Sequence, residues 1–388
     1  MLGSASSNLV VLLASVLKPV DDTRMRGKFA ESLLELPATN VHIAGRATSH
    51  LPAEAPNLPQ QHPIFRGSRL SLNRLAAQWR YWRLLRHLAP AIVFVHAPEL
   101  LPLTLLWQWL GHRRHFVYDI RENYALNIST QGVYQGFTRR LLAGLLRQVE
   151  TLAAQQASAV ILAEASYVNE LPFLVRLPPQ RVLVLENKYQ PQAGEIVAVH
   201  HSAPKAAEPL RLLFSGTISE INGVREAIAL TQELRRIRPG GAQLTIIGFC
   251  QQPELLRYLE QTAANDDWLT LVGGAQPVPH AAIVVAIGQA DFGLLPYQPH
   301  PSTWHCRPTK LFEYLAHGLP VLIPNNPLWV TLVQQHGAGL TVAFDQPTVA
   351  AAAIAASRPT VFYPQGFPTE VLWASEAKKL RHLLESLR

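Results

Sequence analysis

Short, continuously apolar runs alternate along this chain with longer stretches in which apolar residues recur at helical spacing. The short runs fall at residues 8–16, 41–44, 91–95, 115–119, 159–162 and 181–185, and again at 210–214, 243–247, 268–272, 291–295 and 321–324. Unbroken apolarity over so few residues suits strands covered on both faces, as in a parallel sheet. Between them the periodicity predicts helices over 25–36, 71–88, 99–110, 134–156 and near Tyr167, then over 224–236, 253–261 and 278–289. A further short helix runs from Pro308 to a left-handed cap at Gly318. A strand and an Ala-rich helix follow within 340–358, and a helix over 370–387 closes the chain. Alternation of strand and helix in both halves predicts an α/β fold with two doubly wound sheets.

Length agrees with two cores. At 388 residues the chain exceeds one comfortable core, and two domains of about 190 residues each are expected. The Pro, Ala and Ser mixture of 191–209 marks a linker, and the Pro-rich segment 51–63 reads as a surface loop. A hydrophobic content of 48% with 16% charged residues argues against disorder beyond a linker. Cys250 and Cys306 are the only cysteines, too few for a disulfide framework or a cysteine-rich zinc site, which fits a reducing, cytoplasmic setting. The apolar run near the N-terminus is too short to span a bilayer and no Lys or Arg precedes Lys18, so it is read as a first strand rather than a signal peptide.

Net charge is +7, and its distribution says more than the total. Residues 1–205 hold 21 Lys and Arg against 13 Asp and Glu, whereas 206–388 hold 13 against 14. A basic first half attracts anionic lipid, nucleic acid or a phosphorylated substrate. No zinc-finger spacing, RNP-like aromatic pair or basic zipper supports nucleic acid. Over 71–88 the apolar positions Leu72, Leu75, Ala76, Trp79, Trp82 and Leu85 share helical spacing, with Arg80, Arg83 and Arg86 on a neighbouring face. Such a helix either contacts a membrane or anionic acceptor, or packs inward and leaves its arginines to solvent.

The chemistry concentrates in Arg307-Pro308-Thr309-Lys310-Leu311-Phe312-Glu313-Tyr314-Leu315-Ala316-His317-Gly318-Leu319-Pro320. Lys310 and Glu313 share a helix face near its N-terminus, where backbone N–H groups and the helix dipole favour an anion. Arg307 and Lys310 could meet a diphosphate and Glu313 a ribose diol, although the same spacing also describes a surface ion pair. Ser215-Gly216-Thr217 reads as a turn after a strand, with Gly216 placed for close backbone approach to phosphate or simply for the turn itself. Polar residues also gather past strand ends at His96 and at Asp119 to Glu122, where open α/β sheets bind ligands. His96 there is catalytic or packed; Asp119 and Glu122 orient an acceptor hydroxyl or cap a turn. No Asp-x-Asp occurs, so a metal clamp on the phosphates is unsupported, and none is required where cations and a helix start neutralise them.

The Pro-x-Lys-x-x-Glu-Tyr-x-Ala-x-Gly-x-Pro-Val pattern resembles the donor-site helix of GT-B glycosyltransferases, in particular the retaining family 4 class. The resemblance implies two Rossmann-like domains facing each other across a cleft. It places an acceptor-binding domain at 1–205, a nucleotide-sugar-binding domain at 206–365 and a C-terminal helix at 366–388 that packs back on the first domain. It assigns Glu313 to the ribose of the donor, Ser215, Gly216 and Thr217 to its phosphates, and Gly248 and Gly273 to the nucleotide. Tyr118-Asp119-Ile120-Arg121-Glu122 is similar to the family's Tyr-Asp-x-His-Glu segment, and Trp373 and Glu376 match its last helix. Three positions depart from the pattern. The loop Arg and Lys that hold the diphosphate in many members are Thr217 and Asn222, the glutamate eight residues before Glu313 is His305, and the histidine of Tyr-Asp-x-His-Glu is Arg121. Phosphate charge would then rest on Arg307, Lys310 and Arg225.

The implied activity is transfer of a hexose from a UDP- or GDP-linked sugar, with no further cofactor, to a sugar or lipid-linked acceptor in surface-polysaccharide or glycolipid assembly. Retention at the anomeric carbon follows from the resemblance alone. A cytoplasmic location with peripheral contact on the inner face of the plasma membrane fits the basic first half. Two alternatives share these residues: a non-hydrolysing nucleotide-sugar epimerase, which alters the sugar nucleotide without an acceptor, and a non-catalytic sugar-nucleotide-binding subunit.

Overall fold

A computed structural model of the protein describes residues 8–48, 58–68, 71–130, 136–192, 194–195, 208–301, 303–356 and 361–388. The chain forms two compact units, one from Met1–Gln190 with Trp373–Arg388 and one from Pro191–Leu372. Most of the linker expected at 191–209 lies outside the described residues, as do residues 51–57 of the Pro-rich segment.

The first unit is built on seven strands: β1 (Leu9–Pro19), β2 (Thr39–Arg46), β3 (Gln60–Phe65), β4 (Ile92–Val95), β5 (His115–Ile120), β6 (Ala159–Leu162) and β7 (Val182–Val184). They pair in parallel in the order β3-β2-β1-β4-β5-β6-β7. Chain direction across the sheet reverses between β1 and β4, which opens a crevice at their carboxyl ends. Val11, Leu12, Leu13 and Ala14 of β1 are wholly buried, which is why this strand reads as one unbroken apolar run. The helix Ala374–Ser386 belongs to this unit, where Trp373 stacks on Phe29 at 5.7 Å and donates from Nε1 to Ser32 Oγ at 2.9 Å.

Residues 60–63 are not loop, as the prolines suggested, but part of β3. This strand lies at the sheet edge, where Pro63, paired with Gly45, needs no ladder partner on its outer side. The helix expected over 25–36 begins as a π-wound turn, Met25–Ala30, before the α-helical Glu31–Leu34. That winding buries Lys28 and Phe29 beside Arg24. Two helices, Tyr124–Thr130 and Pro327–Gln335, were not expected; the second starts from an Asn326 side chain that accepts from Leu328 N–H.

The helix Asn73–Leu88 packs only part of its apolar stripe inward. It buries Ala77, Tyr81 and Leu85, with Tyr81 hydroxyl 2.8 Å from Thr104 Oγ1, while Leu72, Leu75 and Trp79 are 83%, 71% and 58% exposed. Of the six stripe positions only Leu85 is fully buried, and it shares the inward side with Ala77 and Tyr81.

The second unit has six strands: β8 (Leu210–Ile218), β9 (Ala242–Cys250), β10 (Leu269–Gly274), β11 (Phe292–Leu294), β12 (Val321–Ile323) and β13 (Gly339–Thr341). All pairings are parallel, in the order β10-β9-β8-β11-β12-β13, with the reversal between β8 and β11. The helix Val224–Ile237 and the Ala-rich helix Pro347–Ala356 bury Leu230, Leu234, Ala350 and Ala351 in the same core as β8 and β9.

Candidate functional site

In the second unit, the helix Thr309–Ala316 stands between β11 and β12 in the chain, its start marked by extended Pro308. Tyr314 anchors it: its hydroxyl accepts from Ser215 N–H at 3.1 Å and lies 2.8 Å from Ser215 Oγ. Two expectations change here. β8 does not turn at Ser215 but continues to Ile218, and the Ser215 amide, expected among the phosphate donors, donates to the Tyr314 hydroxyl. Thr217 is exposed, and Asn222 Nδ2 donates to its carbonyl at 2.9 Å.

Gly216, Gly248 and Gly273 lie in register in one row across β8, β9 and β10. A Cβ on Gly248 would fall 1.7 Å from the Gly216 carbonyl oxygen, so that glycine is demanded by the neighbouring backbone. Gly216, with φ of +89°, is demanded partly by Lys310, whose Cε would sit 3.3 Å from an added Cβ. The row therefore leaves a floor without side chains beside the lysine.

Lys310 is 8% exposed, and its Nζ has no hydrogen-bond partner among the described residues. The ammonium stands 4.4 Å from the Phe214 ring centroid and 5.6 Å from that of Tyr297. Two aromatic faces offset only part of the lost hydration, and burial pulls its pKa down to about 8. A buried cation that makes no ion pair among the described residues is costly unless an anion meets it.

One turn along, Glu313 is 9% exposed and bonded to His280, Nε2 to Oε1 at 2.6 Å. That hydrogen bond raises the His280 pKa against the effect of burial. His280 opens the helix His280–Gln289, and nothing in its sequence neighbourhood signalled it, since 33 residues separate the two. Arg307, half-buried, immediately precedes Pro308. Arg225 is turned elsewhere, its Nε 2.8 Å from Glu220 Oε1 and its guanidinium 4.5 Å from the Tyr258 ring centroid.

In the first unit, His96 follows β4 and Asp119 lies near the end of β5, both wholly buried. Asp119 accepts from Arg24 at 2.9 Å (Nε to Oδ2) and 2.7 Å (Nη2 to Oδ1), and lies 2.7 Å from His96 Nδ1 through Oδ2. Burial alone would raise the Asp119 carboxyl, but the Arg24 guanidinium holds it well below the usual carboxylate range. Burial lowers the His96 pKa despite the carboxylate, so the ring is neutral, donates from Nδ1 and presents Nε2 as an acceptor. Asp119, expected with Glu122 to orient an acceptor hydroxyl or cap a turn, and His96, expected to be catalytic or packed, are both sealed beneath the surface, where Asp119 is the counter-ion of Arg24. Arg121 pairs bidentately with Asp22 at 2.8 and 3.1 Å. Glu122 is the accessible member of the set, with one oxygen 3.2 Å from Lys18 Nζ and the other accepting from Asn127 at 3.0 Å. Among the described residues no three His, Cys, Asp or Glu side chains are grouped as metal ligands would be.

No protein-family profile matches the chain. Two parallel doubly wound units are the architecture of the GT-B fold, and solved structures agree. Sucrose-phosphate synthase from Thermosynechococcus elongatus superposes with a TM-score of 0.66 at 16% identity, covering 98% of this chain and 99% of that one. Anabaena HepE, solved in complex with UDP and glucose, gives 0.61 at 12% identity over 97% and 100% of the two chains. Glycogen synthase of Mycobacterium tuberculosis is 24% identical over 210 residues, 54% of this chain. The match spans about half, 47%, of that relative's length.

Proposed function

We propose that the protein is a glycosyltransferase that moves a hexose from a nucleoside-diphosphate sugar to a sugar or lipid-linked acceptor, in surface-polysaccharide or glycolipid assembly. The observation that carries this is Lys310, a buried ammonium without a partner among the described residues, set over the glycine row one turn before Glu313. The diphosphate lies against the start of the motif helix, where Lys310, Arg307 and the first backbone amides neutralise the charge that grows as the bond to the sugar breaks. Gly216, Gly248 and Gly273 let the nucleotide approach the strand ends, and Glu313, oriented by His280, accepts from the ribose hydroxyls. UDP or GDP suits this site, and a relative of the same fold holds UDP and glucose. Retention of anomeric configuration is part of the reading. Asp119 and His96 act by fixing the crevice of the first unit, which leaves Glu122 as its accessible carboxylate.

Glu313→Ala is expected to weaken binding of the nucleoside diphosphate by about 1.5–3 kcal/mol, the range for a hydrogen bond to a charged group. Calorimetric titration of a panel of UDP, GDP and ADP measures this and identifies the base. Unchanged affinity in a folded variant would remove Glu313 from the site. Product analysis with donor alone separates the epimerase reading, since an epimerase alters the sugar without any acceptor.

The reading includes peripheral attachment to an anionic membrane. No described helix is long and apolar enough to cross one. The helix Asn73–Leu88 instead exposes Leu72, Leu75 and Trp79, with the Arg83 guanidinium 4.7 Å from the Trp79 ring centroid and Arg80 and Arg86 also exposed. Apolar residues with arginines beside them suit a bilayer interface. In flotation assays the protein should rise with anionic vesicles at low salt and less at physiological salt, where the Debye length is about 8 Å. Replacing Leu75 and Trp79 by serine should abolish flotation; equal recovery with neutral and anionic vesicles would count against the attachment.

A further inference from the structure

A concavity of the Pro191–Leu372 unit lies beside the proposed nucleotide site, with the Tyr297 ring, 5.6 Å from Lys310 Nζ, common to both. It opens past the carboxyl ends of β11, β12 and β13, has a volume of about 880 Å³, and is walled by the rings of Tyr297, Trp304 and Phe344. That volume is within the range of about 300–1,000 Å³ typical of small-molecule sites. Gly216, Gly248, Gly273, Lys310 and Glu313 do not line it.

The chemistry of its wall is selective. Among the described residues no Lys, Arg or His lines it, while Glu226, Asp345 and the Asn325 amide do, so a phosphate or nucleotide would meet carboxylates with no described cation to offset them. Aromatic faces beside amides and carboxylates are what a sugar needs: rings to cover its C–H faces, and acceptors for its hydroxyl protons. One acceptor is already in place. Glu226 Oε1 accepts from Gln298 Nε2 at 2.6 Å, while Oε2 is shielded from bulk water and has no partner among the described residues. The aromatic wall is also held rigid. Trp329, wholly buried, donates from Nε1 to the Cys306 carbonyl at 2.8 Å and packs on Tyr297 and Trp304 at centroid distances of 5.4 and 6.1 Å. Asn326 Nδ2 fixes the Trp304 carbonyl at 2.7 Å. A preformed wall lowers the ordering cost that limits affinity for flexible ligands.

We propose that this cavity is a binding site for a neutral oligosaccharide that can be filled while a nucleotide occupies the neighbouring site. A single ammonium ion, the other ligand that aromatic rings and carboxylates attract, is small for the space. The inference does not depend on glycosyl transfer, because it rests on the cavity wall alone.

The test is titration of the full chain with maltotriose, cellotriose and chitotriose, read by tryptophan fluorescence and calorimetry, with and without saturating UDP. Glucose 6-phosphate and choline serve as charged comparisons. At least one neutral trisaccharide should bind equally well with UDP present, and Trp304→Ala and Asp345→Lys should each weaken it about ten-fold or more, the equivalent of ~1.4 kcal/mol. Asp345 is exposed, so its variant folds normally and decides the matter if Trp304→Ala does not fold. UDP affinity of Asp345→Lys should be unchanged. The proposal is overturned if no neutral trisaccharide binds, if UDP displaces it, if Asp345→Lys leaves it intact, or if choline or glucose 6-phosphate binds instead.

Discussion

Lys310→Ala is expected to lower release of nucleoside diphosphate from the sugar nucleotide by about 100-fold or more, the scale for losing one preorganised stabiliser of developing charge. The side chain reaches a glycine floor, is held by Phe214 and Tyr297, and makes no hydrogen bond of its own among the described residues, so the diphosphate would be its first strong partner. Charge that grows on the leaving group strengthens this contact in the transition state, so turnover should fall more than donor affinity. A pH profile gives a second signature. With its pKa pulled down to about 8, Lys310 loses its proton as pH rises through that value, and kcat/KM of the wild type should decline there. The alanine variant should lack that alkaline limb. Stability should move the other way: Lys310→Met removes an unpaired buried charge while keeping the apolar stem, and should leave the melting temperature equal or higher. If Arg225→Ala abolishes turnover while Lys310→Ala stays near wild type, the phosphate site lies on the 219–225 segment instead.

Asp119→Ala should destabilise the first unit by about 3–5 kcal/mol, because it strands the Arg24 guanidinium in the core without its counter-ion. Arg24 is 1% exposed, donates also to the Leu185 carbonyl at 3.1 Å, and has the Phe29 and Trp373 rings around it, so it cannot turn out to water. Denaturant unfolding followed by circular dichroism measures the loss, and a variant as stable as wild type would show that the Arg24–Asp119 pair is dispensable. The pH dependence has a definite sign. The Asp119 carboxyl is depressed in the folded state, so its contribution is present above its unfolded value, about 3.9, and is lost as pH falls through the folded one. His96 is also depressed, so below about 6.5 the unfolded chain binds a proton that the folded chain refuses, and stability falls with pH from there. Asp119→Asn, which can still hydrogen-bond both neighbours but carries no charge, should fall between the two.

Much of this protein is legible in its sequence. Twelve of the strands described here coincide with short apolar runs or with the 340–358 expectation, because a strand covered on both faces leaves no polar position to interrupt it. The i, i+3 spacing of Lys310 and Glu313 likewise places both on one helix face whatever surrounds them. The exceptions share a cause. β3, an edge strand with only Ile64 and Phe65 buried, has no such run, and the prolines in and before it disguised it. Periodicity in 71–88 marked an apolar stripe but could not say which side of the helix the sheet would cover.

Partners were decided by the tertiary structure. Arg24 and Asp119 are separated by 95 residues and meet because β1 and β4 are neighbours where strand order reverses, with β5 beside them. The same is true of His280 and Glu313, and of Ser215, whose amide is taken by Tyr314 across 99 residues. Composition and spacing fix what each element must bury and which side chains travel together on it. Whether a carboxylate meets a cation, a ring or water depends on contacts between elements far apart in sequence, and burial then sets whether that group stays hidden, like Asp119, or keeps a charge for a ligand, like Lys310.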